Sequence, residues 1–268
     1  MLRILFVTQD DPFYLPRFFR ELVPRVDTAS VHVAGVVIQA PLGKKTLRGL
    51  VRQMLDFYGP LGFVLMGVRF VLYRGMNYLA VRVFRGAFPG AFSVEHVLRR
   101  SGWSILRARN VNSEDFLSTL APLKLDLLVS VAASQKFRTP LLRAPRLGCI
   151  NLHTAKLPKN RGMMPNFWSL YHADTEPVSA VTVHRMNEEL DDGPIVLQEE
   201  FRLDPQESLH ELILRTKILG ARAVVRALEM FQHGEPAYLP NDRSGATYNT
   251  FPTREDVRKF RAKGLRLL

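Results

Sequence analysis

The sequence is short of cysteine: one thiol, Cys149, in 268 residues. That excludes an internal disulfide and any metal site built on several cysteines, and it suits a reducing compartment. Cys149 stands inside an apolar strand pattern and reads as an inert buried thiol. Several common chemical motifs are also missing. No Gly-x-Gly-x-x-Gly follows the first apolar run, so ordinary nicotinamide binding is unsupported, and no Gly-x-x-x-x-Gly-Lys-Ser/Thr forms a P-loop. There is no Gly-x-Ser-x-Gly elbow and no His-Glu-x-x-His zinc pair. Long apolar runs are scarce. In 41–100 the longest charge-free run, "FYGPLGFVLMGV" (57–68), has twelve residues, against about 20 for a helix that spans a bilayer. The opening "MLRILFVTQDDP" has too short an apolar run for a signal peptide. A cytoplasmic protein is therefore expected, either free or peripheral to the membrane.

A hydrophobic share of 47% and a charged share of 23% are those of a packed globular chain. The net charge of +12 is unevenly placed. Residues 41–100 hold ten Lys/Arg against Asp56 and Glu95, and 253–268 hold six against two acids, so these two segments account for all of it. A polyanionic partner is one reading: nucleic acid, a phosphate-bearing substrate or an acidic membrane. Solvated basic faces are the other.

Buried-strand patterns lie at 2–8, 30–38, 104–109, 125–132, 147–153, 178–186 and 194–203. Helical patterns at 16–26, 112–123, 166–173 and 208–232 alternate with them. This alternation predicts an α/β fold, a mostly parallel sheet with helices on both faces, whose ligands bind beyond the carboxyl ends of strands. Residues 41–100 interrupt it as a basic, hydrophobic helical insertion. There Arg74, Tyr78, Arg82 and Arg85 share one helical face, with Leu79, Ala80 and Val83 off it. A peripheral membrane contact, a cover for the domain and a homodimer contact all stay open for it.

The chemistry concentrates in "CINLHTAKLPKNRG" (149–162). Asn151 and His153 are two apart on a strand and point to one face. An amide and an imidazole side by side can polarise a carbonyl and hold an oxyanion, and histidine can move protons near neutral pH. "NEELDDGPIV" (187–196) offers Asp191 and Asp192, and a carboxylate beside the imidazole is expected to raise the histidine pKa. Each part alone has an ordinary structural reading: a turn amide, a structural histidine, an Asp-Asp-Gly turn.

Taken together, "NLHTAKLP", "NRG" and "ELDDGPIV" resemble the folate-dependent formyltransferases, whose pattern is Asn-x-His-Pro-Ser-x-Leu-Pro, Arg-Gly, then Leu-Asp-x-Gly. The resemblance implies the Rossmann-like formyltransferase fold and the cofactor N10-formyltetrahydrofolate. It implies Asn151, His153 and Asp191 as the catalytic triad, with no covalent intermediate. It puts the folate against the loop "SVAASQKF" (130–137), through Ala132, Ser134, Gln135 and Phe137, with Leu157 and Asp192. The acceptor amine falls to Lys156, Pro158, Asn160, Arg161 and Gly162. No metal is implied. Thr154 and Ala155 depart from the family's Pro-Ser, and Lys156 from a usually apolar residue.

The loop "NRGMMPNFW" looks more like the aminosugar N-formyltransferases than the purine enzyme. A nucleotide-linked or lipid-linked aminosugar is the expected acceptor, with Tyr248, Phe251 and Pro252 in a short hairpin beside it. The 36 residues after 232 are fewer than the C-terminal barrel of tRNA formyltransferases needs, so a nucleic-acid acceptor is not expected. The expected layout is a catalytic domain at 1–235, carrying the insertion, and a short extension at 236–268. A formyltetrahydrofolate hydrolase, and a non-catalytic relative that binds a polyanion or membrane, remain as other readings.

Overall fold

The structure is a computed structural model that describes residues 1–40, 46–84, 90 and 92–268. In chain order the elements are β1 (Leu2–Gln9), α1 (Leu15–Leu22), β2 (Val31–Gln39), α2 (Leu47–Tyr78), α3 (Val94–Ser101) and β3 (Ile105–Leu106). Then come α4 (Glu114–Leu120), β4 (Leu127–Val131), α5 (Thr139–Leu142), β5 (Cys149–His153), β6 (Arg161–Gly162) and α6 (Pro165–Tyr171). β7 (Val178–Arg185), β8 (Ile195–Arg202), α7 (Leu209–Gln232), β9 (Tyr248–Asn249) and α8 (Arg254–Ala262) complete it.

Seven strands form one sheet in the order β3-β2-β1-β4-β5-β7-β8. The first five run parallel, and β7 and β8 are antiparallel additions. The chain winds outward from β1 in one direction and returns through β4 in the other, so β1 and β4 flank the switch point where such sheets bind ligands.

The continuous apolar runs are explained by a core on each face. In β1, Ile4 and Phe6 enter a core shared with α1, α3 and α7, while Leu5 and Val7 enter one shared with α4 and α5. Period-two alternation sends successive side chains to opposite faces, so a strand buried on both sides must be apolar throughout. α7 begins at a capping box of Ser208 and Glu211. It lies so close to β5 that a Cβ on Gly220 would meet Leu152 Cδ2 at 2.6 Å.

Three sequence expectations are corrected. The strand at 104–109 contracts to the two residues of β3. The hairpin around Tyr248 is instead β9 paired in parallel with β6. The described part of the insertion is dominated by a long, kinked helical run. Leu47–Val83, 37 residues, is long and apolar enough to cross a membrane by length and composition, where the twelve-residue run alone was too short. The run is broken at Gly59 (φ 72°), just before Pro60. Leu79 and Val83 are exposed and Ala80 is buried; Arg85 lies outside the described residues.

A third core joins α6, α7 and α8. Phe260 stacks on Phe167 with ring centroids 4.6 Å apart, and Phe57 of α2 packs against Phe167 and Phe251 at 5.8 and 5.3 Å. The C-terminal helix and the insertion thus share one aromatic cluster. Phe260→Ala is expected to cost about 3–5 kcal/mol, the usual range for a fully buried phenylalanine. Urea unfolding followed by far-UV circular dichroism measures it; a loss below about 1 kcal/mol would show that α8 is not part of the cooperative core.

Candidate active site

The polar cluster stands at the carboxyl end of β5. Cys149 points into the α4–α5 core, and strand parity puts Asn151 and His153 on the same side, past the end of that core. β7 runs antiparallel beside them and sets His184 directly opposite Asn151, and Thr182 opposite His153. The turn after β7 delivers Asp191 in the left-handed conformation (φ 52°). Asn241 fixes that turn, donating from Nδ2 to the carbonyls of Asp191 and Gly193 at 3.0 and 2.9 Å.

One oxygen of Asp191 gathers the cluster. Oδ1 lies 3.4 Å from Asn151 Nδ2, 3.5 Å from His153 Nδ1 and 3.4 Å from His184 Nε2. The other oxygen accepts the Gly162 N–H at 2.8 Å. Gly162 is required there: its φ is +92°, and a Cβ would meet the Asn249 carbonyl oxygen at 2.3 Å. Burial opposes the ionisation of Asp191, but coupling to the protonated forms of His153 and His184, together with the Gly162 N–H, outweighs it and holds the carboxyl well below the usual carboxylate range.

Backbone carbonyls set the tautomers. His184 Nδ1 sits 2.9 Å from the Arg185 carbonyl and must donate to it, so Nε2 is an acceptor and takes an N–H from Asn151 at 3.2 Å. This orients the Asn151 amide with nitrogen toward the cluster. One N–H is held by His184; the other is only loosely engaged, at 3.4 Å from Asp191. His153 donates from Nε2 to the Asn160 carbonyl at 2.8 Å. Its Nδ1 then faces Asp191 as the basic atom.

The expected rise in the His153 pKa is corrected. Burial lowers it and outweighs Asp191, with His184 and Lys217 adding to the lowering. Lys217 is itself buried, with burial lowering its pKa and Asp11 raising it. The Cys149 thiol is pushed up to about 12 by burial.

The folate-side residues divide by role. Ala132 turns the chain at φ 53°, and Ser134 donates its N–H to Gln39 Oε1 at 2.9 Å. Gln135 is occupied in bracing the neighbouring loop, accepting from Val111 N and donating to the Arg109 carbonyl. Phe137 is packed in the core, so its ring supports the loop from beneath. Leu157 is buried before the cis peptide to Pro158. Asp192 is gripped by Arg243, Asn187 and Arg161, which hold its carboxyl down at about 2.

Among the acceptor-side residues, Asn160 and Gly162 use backbone atoms to fix His153 and Asp191. Arg161 is buried against Asp192 at 2.6 Å. Lys156 turns to Glu200 at 2.9 Å. A cavity of about 430 Å³ opens beside the cluster, with Lys136, Arg161, Arg243, Thr247 and Tyr248 in its wall. Sequence reasoning missed His184, Asn241 and Arg243. His184 carried a signal, an inward-facing position in an alternating strand; Asn241 lies in irregular chain and Arg243 in a single 3-10 turn.

The α/β sheet ends in a half-buried amide, a buried imidazole and a half-buried carboxylate, an arrangement able to polarise a carbonyl and move a proton. Residues 84–228, more than half of the chain, match the family described as formyl transferase, and the chain belongs to that family. It is 31% identical to the methionyl-tRNA formyltransferase of Kosmotoga olearia over 164 residues, which are 61% of this chain and 52% of the relative. The chain spans about half to two thirds of the length of such curated relatives. In fold it is similar to glycinamide ribonucleotide transformylase 1 from Symbiobacterium toebii (TM-score 0.56, 18% identity, 90% of this chain and 95% of that one). It is likewise similar to WlaRD, a sugar 3N-formyl transferase solved in the presence of dTDP and 5-N-formyl-THF (TM-score 0.57, 12% identity, 100% of this chain and 83% of that one).

The geometry predicts that His153 titrates below its ordinary 6.5. Asp191→Asn should lower it further, because the carboxylate is what favours the charged ring. The ¹⁵N shifts of the His153 ring across a pH series test this. A midpoint above 6.5 in the parent, or a rise in the variant, would contradict the burial argument. The sign for stability follows. With the folded pKa depressed, the unfolded chain binds the extra proton, so His153 costs stability as pH falls through 6.5.

Proposed function

We propose that the protein transfers a formyl group from N10-formyltetrahydrofolate to the primary amine of a small acceptor, an aminosugar carried on a nucleoside diphosphate or a lipid phosphate. The observation that carries this reading is the convergence of Asn151 and His153 on one carboxylate oxygen of Asp191 at the end of β5. The residues present fit the folate. A polar turn at Ala132 and Ser134 stands at the end of β4. The neighbouring cavity has a mixed wall: Arg161 and Arg243 are paired with Asp192, and Lys136 stands there beside Glu189 as a cation that a glutamate carboxylate or an acceptor phosphate can meet.

The folate supplies a formyl carbonyl, and the acceptor supplies the nitrogen lone pair. One nitrogen–carbon bond forms, one breaks, and one proton passes from the acceptor nitrogen to the leaving nitrogen. The loosely held Asn151 N–H is the donor for charge growing on the formyl oxygen. His153 Nδ1 is the atom that can take the proton, since Nε2–H is committed to Asn160. Asp191 holds the imidazolium that results, and its own low pKa keeps it ionised while it does so. Support for the aminosugar comes from the "RGMMPNFW" loop and from the likeness in fold to a sugar formyl transferase.

The test mixes the purified protein and N10-formyltetrahydrofolate with nucleotide-linked aminosugars, glycinamide ribonucleotide and charged initiator tRNA. Tetrahydrofolate release and product mass are followed. Turnover is expected with an aminosugar. Asn151→Ala should lower kcat by about 10²–10³ and His153→Ala by about 10²–10⁴. Turnover only with the purine precursor or the tRNA would reassign the acceptor. Formate release without an amine would make the protein a hydrolase. No turnover and no folate binding would remove the catalytic reading.

A further inference from the structure

Helix α2, with the wider turn Leu79–Val83 that continues it, carries a surface that neither the fold nor the site uses. One side is anchored along its length. Phe57 packs on Phe167 and Phe251, and the Tyr58 carbonyl accepts from Arg261. Phe13 packs on Phe70 and Tyr73 at 6.4 and 5.6 Å. Arg74 pairs with Asp10 at 3.0 Å, Asn77 accepts from Ser93, and Ala80 is buried. With anchors from 57 to 80, the helix lies lengthwise on the domain and cannot cross a bilayer while these contacts hold.

The opposite side is apolar and open. Leu61, Leu65, Val68, Leu72 and Leu79 recur at helical spacing and form one stripe. Val64, Val71 and Val83 widen it. Leu61 is 84% exposed, Val71 68% and Leu72 61%. So many large apolar side chains together exceed the scattered ones of an ordinary surface. Arg69, Tyr78 and Arg82 border the stripe, and no Asp or Glu occurs from 57 to 94. This charge selects the occupant. A second copy laid on the stripe would bring arginines against arginines with no acid between them. An anionic lipid surface complements both the stripe and its border.

We infer that α2 docks the protein flat on an anionic lipid bilayer, its leucine and valine stripe in the acyl boundary and its arginines at the headgroup phosphates. This docking is independent of the chemistry proposed for the site. The full chain is floated with vesicles of phosphatidylcholine holding about one third phosphatidylglycerol. It is expected to rise with them and to bind at least about tenfold less to pure phosphatidylcholine, or at about 0.5 M salt. Val68→Glu/Leu72→Glu should lose binding by more than about tenfold with an unchanged circular dichroism spectrum, since both side chains are exposed. Because Cys149 is buried, nitroxides at Leu61→Cys, Leu72→Cys and Leu79→Cys report depth selectively, and equal shallow depths are expected. No flotation of the folded parent would overturn the inference. Equal binding to neutral vesicles would overturn the anionic preference, and depths graded across the bilayer would mean a crossing helix. A dimer that the double substitution dissociates, without flotation, would assign the face to a second copy.

Discussion

The site depends on one buried charge. The Asp191 side chain is only 11% exposed, and an unpaired carboxylate so placed would be costly. Its oxygens accept from the Gly162 N–H and the Asn151 amide, and His153 and His184 stand beside it, ready to pair with it once protonated. Those neighbours come from β5, β6 and β7, and Asp191 itself from the turn after β7, so placing one carboxylate fixes four pieces of chain relative to each other. The left-handed backbone at Asp191 and the close approach at Gly162 are local costs that this arrangement stabilises.

Around that charge the hydrogen bonds divide the labour. Carbonyls of Arg185 and Asn160 choose the tautomers of His184 and His153. His184 in turn orients the Asn151 amide. Burial, more than the carboxylate, decides the resting charge of His153. A ring kept neutral with its basic atom beside an ionised carboxylate is ready to accept a proton and to be held once it has one. The antiparallel pairing of β7 with β5 makes this possible, because it brings a second histidine directly against Asn151.

The insertion and the C-terminal arm are distant in sequence and joined in space. Phe57, Phe167, Phe251 and Phe260 form the joint, and Arg261 bonds the Tyr58 carbonyl. The basic character of 253–268 is partly consumed internally: Lys263 pairs with Asp174 and Arg258 with Glu255. The arginines beside the α2 stripe belong to an outward face, so the two basic segments, alike in composition, differ in what their charge is available to do.

The sequence by itself determined the sheet strands, the α/β alternation and the placing of Asn151 and His153 together at a strand end. Those features follow from period-two and helical periodicity, which are local. The resemblance carried by "NLHTAKLP" and "ELDDGPIV" located Asp191 as well. Only the tertiary structure decided that Phe137 is core and that Gln135 braces a loop. It also decided that the long helix lies along the domain with one face open, and that burial lowers the His153 pKa. The reason is physical. Burial, tautomer and the pairing of short segments such as β9 with β6 depend on neighbours far away in the chain, and no window of sequence contains both members of such a contact.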